Sequence, residues 1–87
     1  MKLAYRKSFK KQYQKLRQAE REKFKICQIL FAENPFDPLL NNHELQGEYK
    51  GCHSINITGD LRAIYQPLGK DMAYFIAIGT HSQLYSL

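Results

Sequence analysis

The sequence predicts an α+β fold in the order β-α-α-β-β-β, with two N-terminal helices packed on one face of an antiparallel sheet. Apolar residues recur at helical spacing in the first third of the chain, and apolar and polar residues alternate after residue 49. Turn-forming residues separate the last three strands. Helices that precede such strands cover one face of the sheet and leave the other partly open. The 87 residues suffice for a single domain spanning 1–87.

The first third of the chain predicts a short strand and two helices. Residues 1–5 alternate as a strand does, and Ser8 is a candidate N-cap for the first helix. A second helix is predicted over 20–33, because Pro35 disfavours helical backbone in the residue before it. Spacings of four and three place three apolar side chains on one face of the first helix: Phe9, Tyr13 and Leu16.

The remaining residues predict a loop and three strands. Residues 36–42 contain Asp-Pro and two consecutive Asn, which favour a loop, and 49–58 alternate as a strand. In this strand Ile55 and Ile57 point to the core, and the opposite face carries Cys52, Ser54 and Asn56. A turn at Thr58-Gly59-Asp60 leads into the strand 61–66. A turn at 67–71 precedes a buried strand, 72–78, which ends at Gly79.

The charge of the chain is concentrated near its start. Residues 1–25 hold ten Lys and Arg against two acids, a net +8, whereas 26–87 hold three against six, a net −3. Such a basic region attracts phosphate backbones or an acidic partner. The alternative is a solvated helix surface that binds nothing.

Other classes of protein are disfavoured. The two cysteines form neither a disulfide framework nor a metal-binding pattern, so no cofactor or metal is expected. No apolar run is long enough for a membrane span, and Met1 leads into a charged segment and not into a signal peptide. We therefore expect a cytoplasmic protein.

Four residues match the needs of RNA cleavage without a metal. The 2′-hydroxyl of the RNA is the nucleophile, and the enzyme supplies a base, an acid, a cation for the phosphoryl charge and a ring for an unstacked base. These requirements are met by His43, His81, Arg62 and Tyr85. Each also has a purely structural explanation, such as an ion pair between Arg62 and Asp60.

Four motifs in order carry a resemblance to a known family. They are His43-Glu44-Leu45-Gln46-Gly47, Tyr49-Lys50-Gly51, Asp60-Leu61-Arg62-Ala63-Ile64-Tyr65 and Gly79-Thr80-His81-Ser82-Gln83-Leu84-Tyr85. Together they resemble the RelE/ParE toxin superfamily, and most closely its YafQ-like branch. The resemblance implies a RelE-like microbial ribonuclease fold, an endoribonuclease that cleaves mRNA on the ribosome, and a cognate antitoxin that blocks it.

The resemblance also assigns residues. It places the loop histidine of the family at His43, the turn aspartate at Asp60, the C-terminal histidine at His81 and the terminal aromatic at Tyr85. Arg62 matches a catalytic arginine of RelE-type members. YafQ-like enzymes commonly carry a histidine where this chain has Asn56, and an acidic residue at the position of Ser54.

These assignments give each residue a predicted role. His81 is the first candidate for proton transfer and His43 the second, while Asp60 orients a histidine, Arg62 stabilises the phosphoryl charge and Tyr85 stacks on a base. Further substrate or ribosomal RNA contacts are predicted at Asn56, Lys50, Lys10, Lys11 and Lys15. Two alternatives remain: a ParE-like inhibitor of DNA gyrase, and a non-catalytic nucleic-acid-binding module.

Overall fold

A computed structural model describes residues 1–85 and confirms the α+β fold. No helix in this part of the chain is long and apolar enough to cross a membrane. Short 3-10 turns at Pro38–Leu40 and Gly47–Tyr49 lie between the principal elements. Those elements are β1 (Lys2–Tyr5), α1 (Lys7–Gln14), α2 (Gln18–Glu33), β2 (His43–Glu44), β3 (His53–Asn56), β4 (Leu61–Leu68), β5 (Met72–Thr80) and α3 (His81–Tyr85).

The sheet is mixed, whereas the sequence predicted an antiparallel sheet. Its strand order is β1-β5-β4-β3-β2. β1 pairs parallel with β5, whereas β5, β4, β3 and β2 pair antiparallel. A parallel pair needs a long connection, and the chain between β1 and β5 supplies it. The first and last strands thus become neighbours, with Leu3 opposite Ala73.

Three local predictions differ from the structure. The strand predicted over 49–58 shortens to β3, because Gly47–Tyr49 forms a 3-10 turn and Gly51 has a φ of +90°. The loop predicted over 36–42 contains a 3-10 turn, which Asp37 caps by accepting from the Leu39 amide. β2 and α3, of two and five residues, are additional elements. Such short segments show no periodicity in a sequence.

Ser8 does not cap α1 as the sequence predicted. Arg6 is the N-cap residue, and no side chain bonds the first turn there. The Ser8 hydroxyl instead donates to the Ile76 carbonyl at 3.1 Å. Ile76 is the extra residue of a β-bulge, because the partners on β5 step from Ala77 to Phe75 while β4 advances from Ile64 to Tyr65. Ser8 therefore satisfies a carbonyl at the bulge.

An aromatic core fills the space between the sheet and the two long helices. Phe75 of β5 packs against Phe31 of α2 and Phe9 of α1, with ring centroids 5.4 and 5.7 Å apart. Ile55 and Ile57 lie in this core, as their alternation predicted. The opposite face of the sheet carries a smaller apolar cluster, in which Leu84 of α3 packs. This second face is therefore covered only in part.

Replacing Phe31 by alanine should destabilise the protein strongly. The Phe31 ring is fully buried between Tyr65 and Phe75, so its removal leaves a cavity that costs about 3–5 kcal/mol. Urea unfolding followed by circular dichroism measures the change. Ile29→Ala is a matched control in the same helix, because Ile29 is 63% exposed and its loss should stay within about 0.5 kcal/mol. Equal stabilities of the two variants would contradict this core.

Candidate active site

A cavity of about 340 Å³ opens on the face of the sheet that the two long helices leave uncovered. In β2 and β3, His43 lies opposite Ser54, and in β3 and β4, Asn56 lies opposite Arg62. The cavity therefore spans three neighbouring strands and reaches α3. Its lining residues are Asn41, His43, Leu45, Ser54, Asn56, Arg62, His81 and Tyr85.

Strand alternation sorts the polar residues of β3. Ser54 and Asn56 face the cavity, whereas His53 lies on the helix side, where its ring stacks on Tyr65 with centroids 5.2 Å apart. This agrees with the predicted alternation, which placed Ser54 and Asn56 on the face opposite Ile55 and Ile57. His53 is therefore separated from the cavity by the sheet.

Arg62 brings a positive charge that no carboxylate of residues 1–85 neutralises. Its guanidinium donates to the carbonyls of Thr58, Leu61 and Gly59 at 2.9, 3.1 and 3.1 Å. The ion pair with Asp60 that the sequence left open does not form. In residues 1–85 the one salt bridge joins Arg17 and Glu20. Neutral carbonyls thus fix the guanidinium in place and leave its charge available to an anion.

The hydrogen bond of His43 assigns its proton. His43 Nδ1 lies 2.9 Å from the Asn41 carbonyl oxygen. Because a carbonyl only accepts, Nδ1 carries the hydrogen, and the neutral ring keeps its lone pair on Nε2. The His43 side chain is exposed, so Nε2 is accessible from the cavity. The arrangement suits a general base.

The short helix α3 carries His81 and Tyr85 on one face. They lie four positions apart in the sequence, and their ring centroids are 4.7 Å apart. The helix begins with a capping box: the Thr80 amide donates to Gln83 Oε1 at 2.9 Å, and the Gln83 amide donates to Thr80 Oγ at 3.2 Å. The His81 amide also donates to the Asp60 carbonyl at 3.1 Å, which ties α3 to the turn before β4.

Tyr85 is held from its other side by Tyr49. The two rings meet edge to face at 5.9 Å, and the Tyr49 hydroxyl donates to the Leu84 carbonyl at 3.3 Å. Burial raises the pKa of the Tyr49 hydroxyl, which therefore stays protonated and able to donate. Tyr85 remains half-buried at the rim of the cavity, with part of its ring accessible.

Two buried polar atoms in the cavity wall have no partner among residues 1–85. Ser54 Oγ and Asn56 Oδ1 are both inaccessible to solvent and form no hydrogen bond with the described residues. A buried polar group without a partner costs about 1–3 kcal/mol, and such groups are rare in folded proteins. Both residues belong to β3 and lie in the wall of the cavity.

The remaining predicted site residues lie outside the cavity lining. Asp60 is exposed and takes part through its carbonyl, and Lys50 is exposed beyond β2. Three lysines on or next to α1 lie on the helix side of the sheet, namely Lys10, Lys11 and Lys15. Their predicted roles stay predictions. Within residues 1–85 no three His, Cys, Asp or Glu side chains gather as metal ligands would.

Asn41 and Leu45 belong to the lining but were not among the predicted site residues. Asn41 adopts a φ of +46° at the end of the 3-10 turn, a left-handed conformation that asparagine tolerates better than most residues. The pair Asn41-Asn42 was a usable signal, because consecutive Asn residues favour such turns. Leu45 precedes the Gln46-Gly47 turn and offers no chemical signal.

Replacing Gln83 by alanine should loosen α3 and with it the His81–Tyr85 pair. The variant loses one side of the capping box, which costs about 0.5–2 kcal/mol. Amide hydrogen exchange of residues 81–85 should accelerate while the exchange of β5 stays slow. Ser82→Ala, an exposed position in the same turn, should leave the exchange unchanged. Unaltered protection of α3 in Gln83→Ala would contradict the capping box.

The fold recurs in solved bacterial toxins. The structure of YafQ from E. coli strain BL21(DE3) matches with 24% identity, a TM-score of 0.82 and 97% of each chain covered. A YoeB/ParE toxin from Agrobacterium tumefaciens matches with 26% identity and a TM-score of 0.78, covering 93% of this chain and 99% of that one. The E. coli DinJ–YafQ toxin–antitoxin complex matches at 24% identity and 0.79, covering 97% and 96%.

The family comparison agrees with these structures. No curated protein is similar enough to be counted as a relative. The model of the YafQ family, described as bacterial toxins of type II toxin–antitoxin systems, matches residues 1–86. The match includes the cavity and every element that forms it. The chain therefore belongs to the YafQ family of type II toxins.

Proposed function

We propose that this toxin is an endoribonuclease that cleaves messenger RNA, in the cytoplasm and on the translating ribosome, and thereby inhibits translation. One observation carries the proposal. A single cavity brings together two histidines, an arginine that pairs with no carboxylate of residues 1–85 and an accessible aromatic ring: His43, His81, Arg62 and Tyr85. These are the groups that internal cleavage of RNA requires.

The chemistry divides between the two histidines. Nε2 of His43 takes the proton from the 2′-hydroxyl, whose oxygen attacks the adjacent phosphorus. The bond from phosphorus to the 5′-oxygen of the next nucleotide breaks, and protonated His81 gives that oxygen a proton. The products are a 2′,3′-cyclic phosphate and a free 5′-hydroxyl. His43 is then the base and His81 the acid, and a second proton exchange with water restores both.

Three further groups hold the substrate. Arg62 binds the phosphoryl oxygens, where negative charge grows in the transition state. Tyr85 stacks on an unpaired base. Asn56 and Ser54 form part of the polar wall against which the RNA lies. Asp60 contributes through its carbonyl, which fixes the start of α3, and so orients His81 indirectly.

The lysines suit contacts away from the cleaved bond. α1 covers the face of the sheet opposite the cavity, so its lysines point away from an mRNA bound in the cavity. We assign Lys10, Lys11 and Lys15 to the backbone of ribosomal RNA, and Lys50 to RNA that leaves the cavity. Such contacts are electrostatic and weaken as salt concentration rises.

An antitoxin protein is the proposed second partner. Two properties of the helices favour an acidic, partly apolar one. Residues 1–25 carry a net +8, and Ile26 and Ile29 of α2 are 61% and 63% exposed. Exposed apolar side chains beside lysines match a segment that offers both carboxylates and apolar contacts. The similar complex of E. coli YafQ with DinJ supports a partner of this kind.

His81→Ala should abolish toxicity without disturbing the fold. The His81 side chain is exposed and its ring nitrogens bond none of residues 1–85, so its removal leaves the core intact. The variant loses the acid, and we expect a cleavage rate lower by about 10²–10⁴-fold. Primer extension on mRNA after induction measures cleavage, and co-purification measures antitoxin binding, which should persist. Lys70→Ala, exposed between β4 and β5, is the control.

Full toxicity of His81→Ala would refute the role of His81. Growth arrest by the unaltered toxin with intact messages, together with inhibited DNA supercoiling, would favour a gyrase inhibitor instead.

Arg62→Ala should reduce single-turnover cleavage of a short RNA by about 10²–10³-fold, because the transition-state charge loses its cation. Arg62→Lys should recover part of this loss, since lysine restores a charge but not the planar fork. Arg21→Ala is a matched control: Arg21 also donates to backbone carbonyls, those of Gln14 and Leu16, but lies away from the cavity. Equal rates for Arg62→Ala and Arg21→Ala would exclude this role.

A further inference from the structure

We propose that Asn42 is a positioning residue, whose side chain anchors the loop before β2 and so fixes the ring of His43 for proton transfer. The inference rests on the proposed function in so far as it concerns catalysis. It concerns a residue outside the cavity lining, next to His43 in the chain. Four observations carry it: the contacts of Asn42, the shortness of β2, the buried partner in β4 and the bond between Asn41 and His43.

The Asn42 side chain forms three hydrogen bonds, which use both of its N–H donors and its carbonyl oxygen. Nδ2 donates to the Pro35 carbonyl at 2.9 Å and to the Tyr65 hydroxyl at 2.6 Å, and Oδ1 lies 2.8 Å from His53 Nδ1. Because the Pro35 carbonyl only accepts, the amide nitrogen must face it, and Oδ1 therefore faces His53. His53 then donates from Nδ1. One side chain thus joins the start of the loop to β4 and β3.

β2 needs such an anchor. It has two residues, with two pairs to β3: His43 opposite Ser54 and Glu44 opposite His53. A strand this short sets a register but contributes little stability of its own. The segment before it, 34–42, contains no strand that pairs with the sheet. The hydrogen bonds of the Asn42 side chain therefore connect this segment to the sheet, where backbone pairing does not.

The anchor ends in the buried aromatic core. Tyr65 is 3% exposed, and its ring packs against Phe31 at 4.8 Å and Phe75 at 5.6 Å. Burial raises the pKa of its hydroxyl, which stays neutral. His53 stacks on the same ring at 5.2 Å. Asn42 is therefore held by two side chains that the core keeps in place.

Asn42 lies between the two residues whose contact sets the proton of His43. The carbonyl of Asn41 accepts from His43 Nδ1, and this bond leaves Nε2 as the basic nitrogen. Asn41 holds a left-handed backbone, with a φ of +46°, to place that carbonyl. Release of Asn42 frees both neighbours at once. The ring then loses its fixed tautomer, although Arg62 and Tyr85, on β4 and α3, still hold the RNA.

The first test is Asn42→Ala, with steady-state cleavage of a short RNA and ¹⁵N NMR of the His43 imidazole. We expect kcat to fall by about 10- to 100-fold, because small errors in the position of a reacting group carry large costs, while KM changes by less than about twofold. The NMR should show one Nδ1-protonated form in the unaltered protein and a mixture of tautomers in the variant.

A matched control separates anchoring from general loosening of the loop. Leu39→Ala truncates a side chain in the same loop that is 80% exposed and belongs neither to the Asn42 contacts nor to the cavity lining. It should leave kcat and the His43 tautomer unchanged. Tyr65→Phe is the second variant: it keeps the buried ring, removes the hydroxyl that Asn42 bonds, and should lower kcat less than Asn42→Ala does.

Several outcomes would overturn the proposal. An unaltered His43 tautomer in folded Asn42→Ala contradicts it, even if kcat falls with stability. If Asn42→Ala does not fold, Tyr65→Phe decides, and an unaltered tautomer and kcat there reject the anchor. If the unaltered toxin cleaves no RNA, the proposed function fails, but the NMR of the same variants still decides whether Asn42 fixes His43.

Discussion

The packing of aromatic rings around Phe75 is the interaction on which the rest of the structure depends. Five rings lie with centroids 5.4–5.8 Å from it, and they come from β1, α1, α2 and β4: Tyr5, Phe9, Phe24, Phe31 and Tyr65. Aromatic pairs at this spacing add to the stability that burial provides. One residue of β5, an inner strand, therefore gathers side chains of two other strands and both long helices on one face of the sheet, and leaves the other face partly uncovered.

Alternation along the strands then distributes the functional groups. Tyr65 points to the core, so Arg62, three positions earlier, points away from it, and its partner Asn56 shares that face. The bulge at Ile76 breaks the alternation of β5, which lets Ile76 and Ala77 both join the cluster beneath α3. The apolar cluster that supports α3, and with it His81 and Tyr85, thus depends on the bulge at Ile76. The position of Arg62, in contrast, follows from regular strand pairing.

The contrast between regular alternation and tertiary irregularity explains which features the sequence could predict. The helices, the three long strands and the face of Arg62 and Asn56 follow from periodicities of 3.6 and 2, which a sequence displays directly. β2 was not predictable, because two residues show no period and its pairing depends on Asn42 contacts with residues up to 23 positions away. The start of α3 could have been predicted, since Thr80-His81-Ser82-Gln83 has the spacing of a capping box. The bulge at Ile76 and the carbonyls around Arg62 are tertiary features that no local pattern encodes.

The pairing of Asn56 with Arg62 bears on how the cavity can operate with no histidine at residue 56. Asparagine transfers no proton at neutral pH, but Arg62 lies directly opposite and brings a guanidinium charge. None of the described lining residues is a carboxylate, so nothing in the wall cancels that charge. A phosphate would therefore be attracted whatever the protonation of the histidines. Under the proposed function, binding of the phosphate charge falls to Arg62 and proton transfer falls to His43 and His81, so the two tasks belong to different residues.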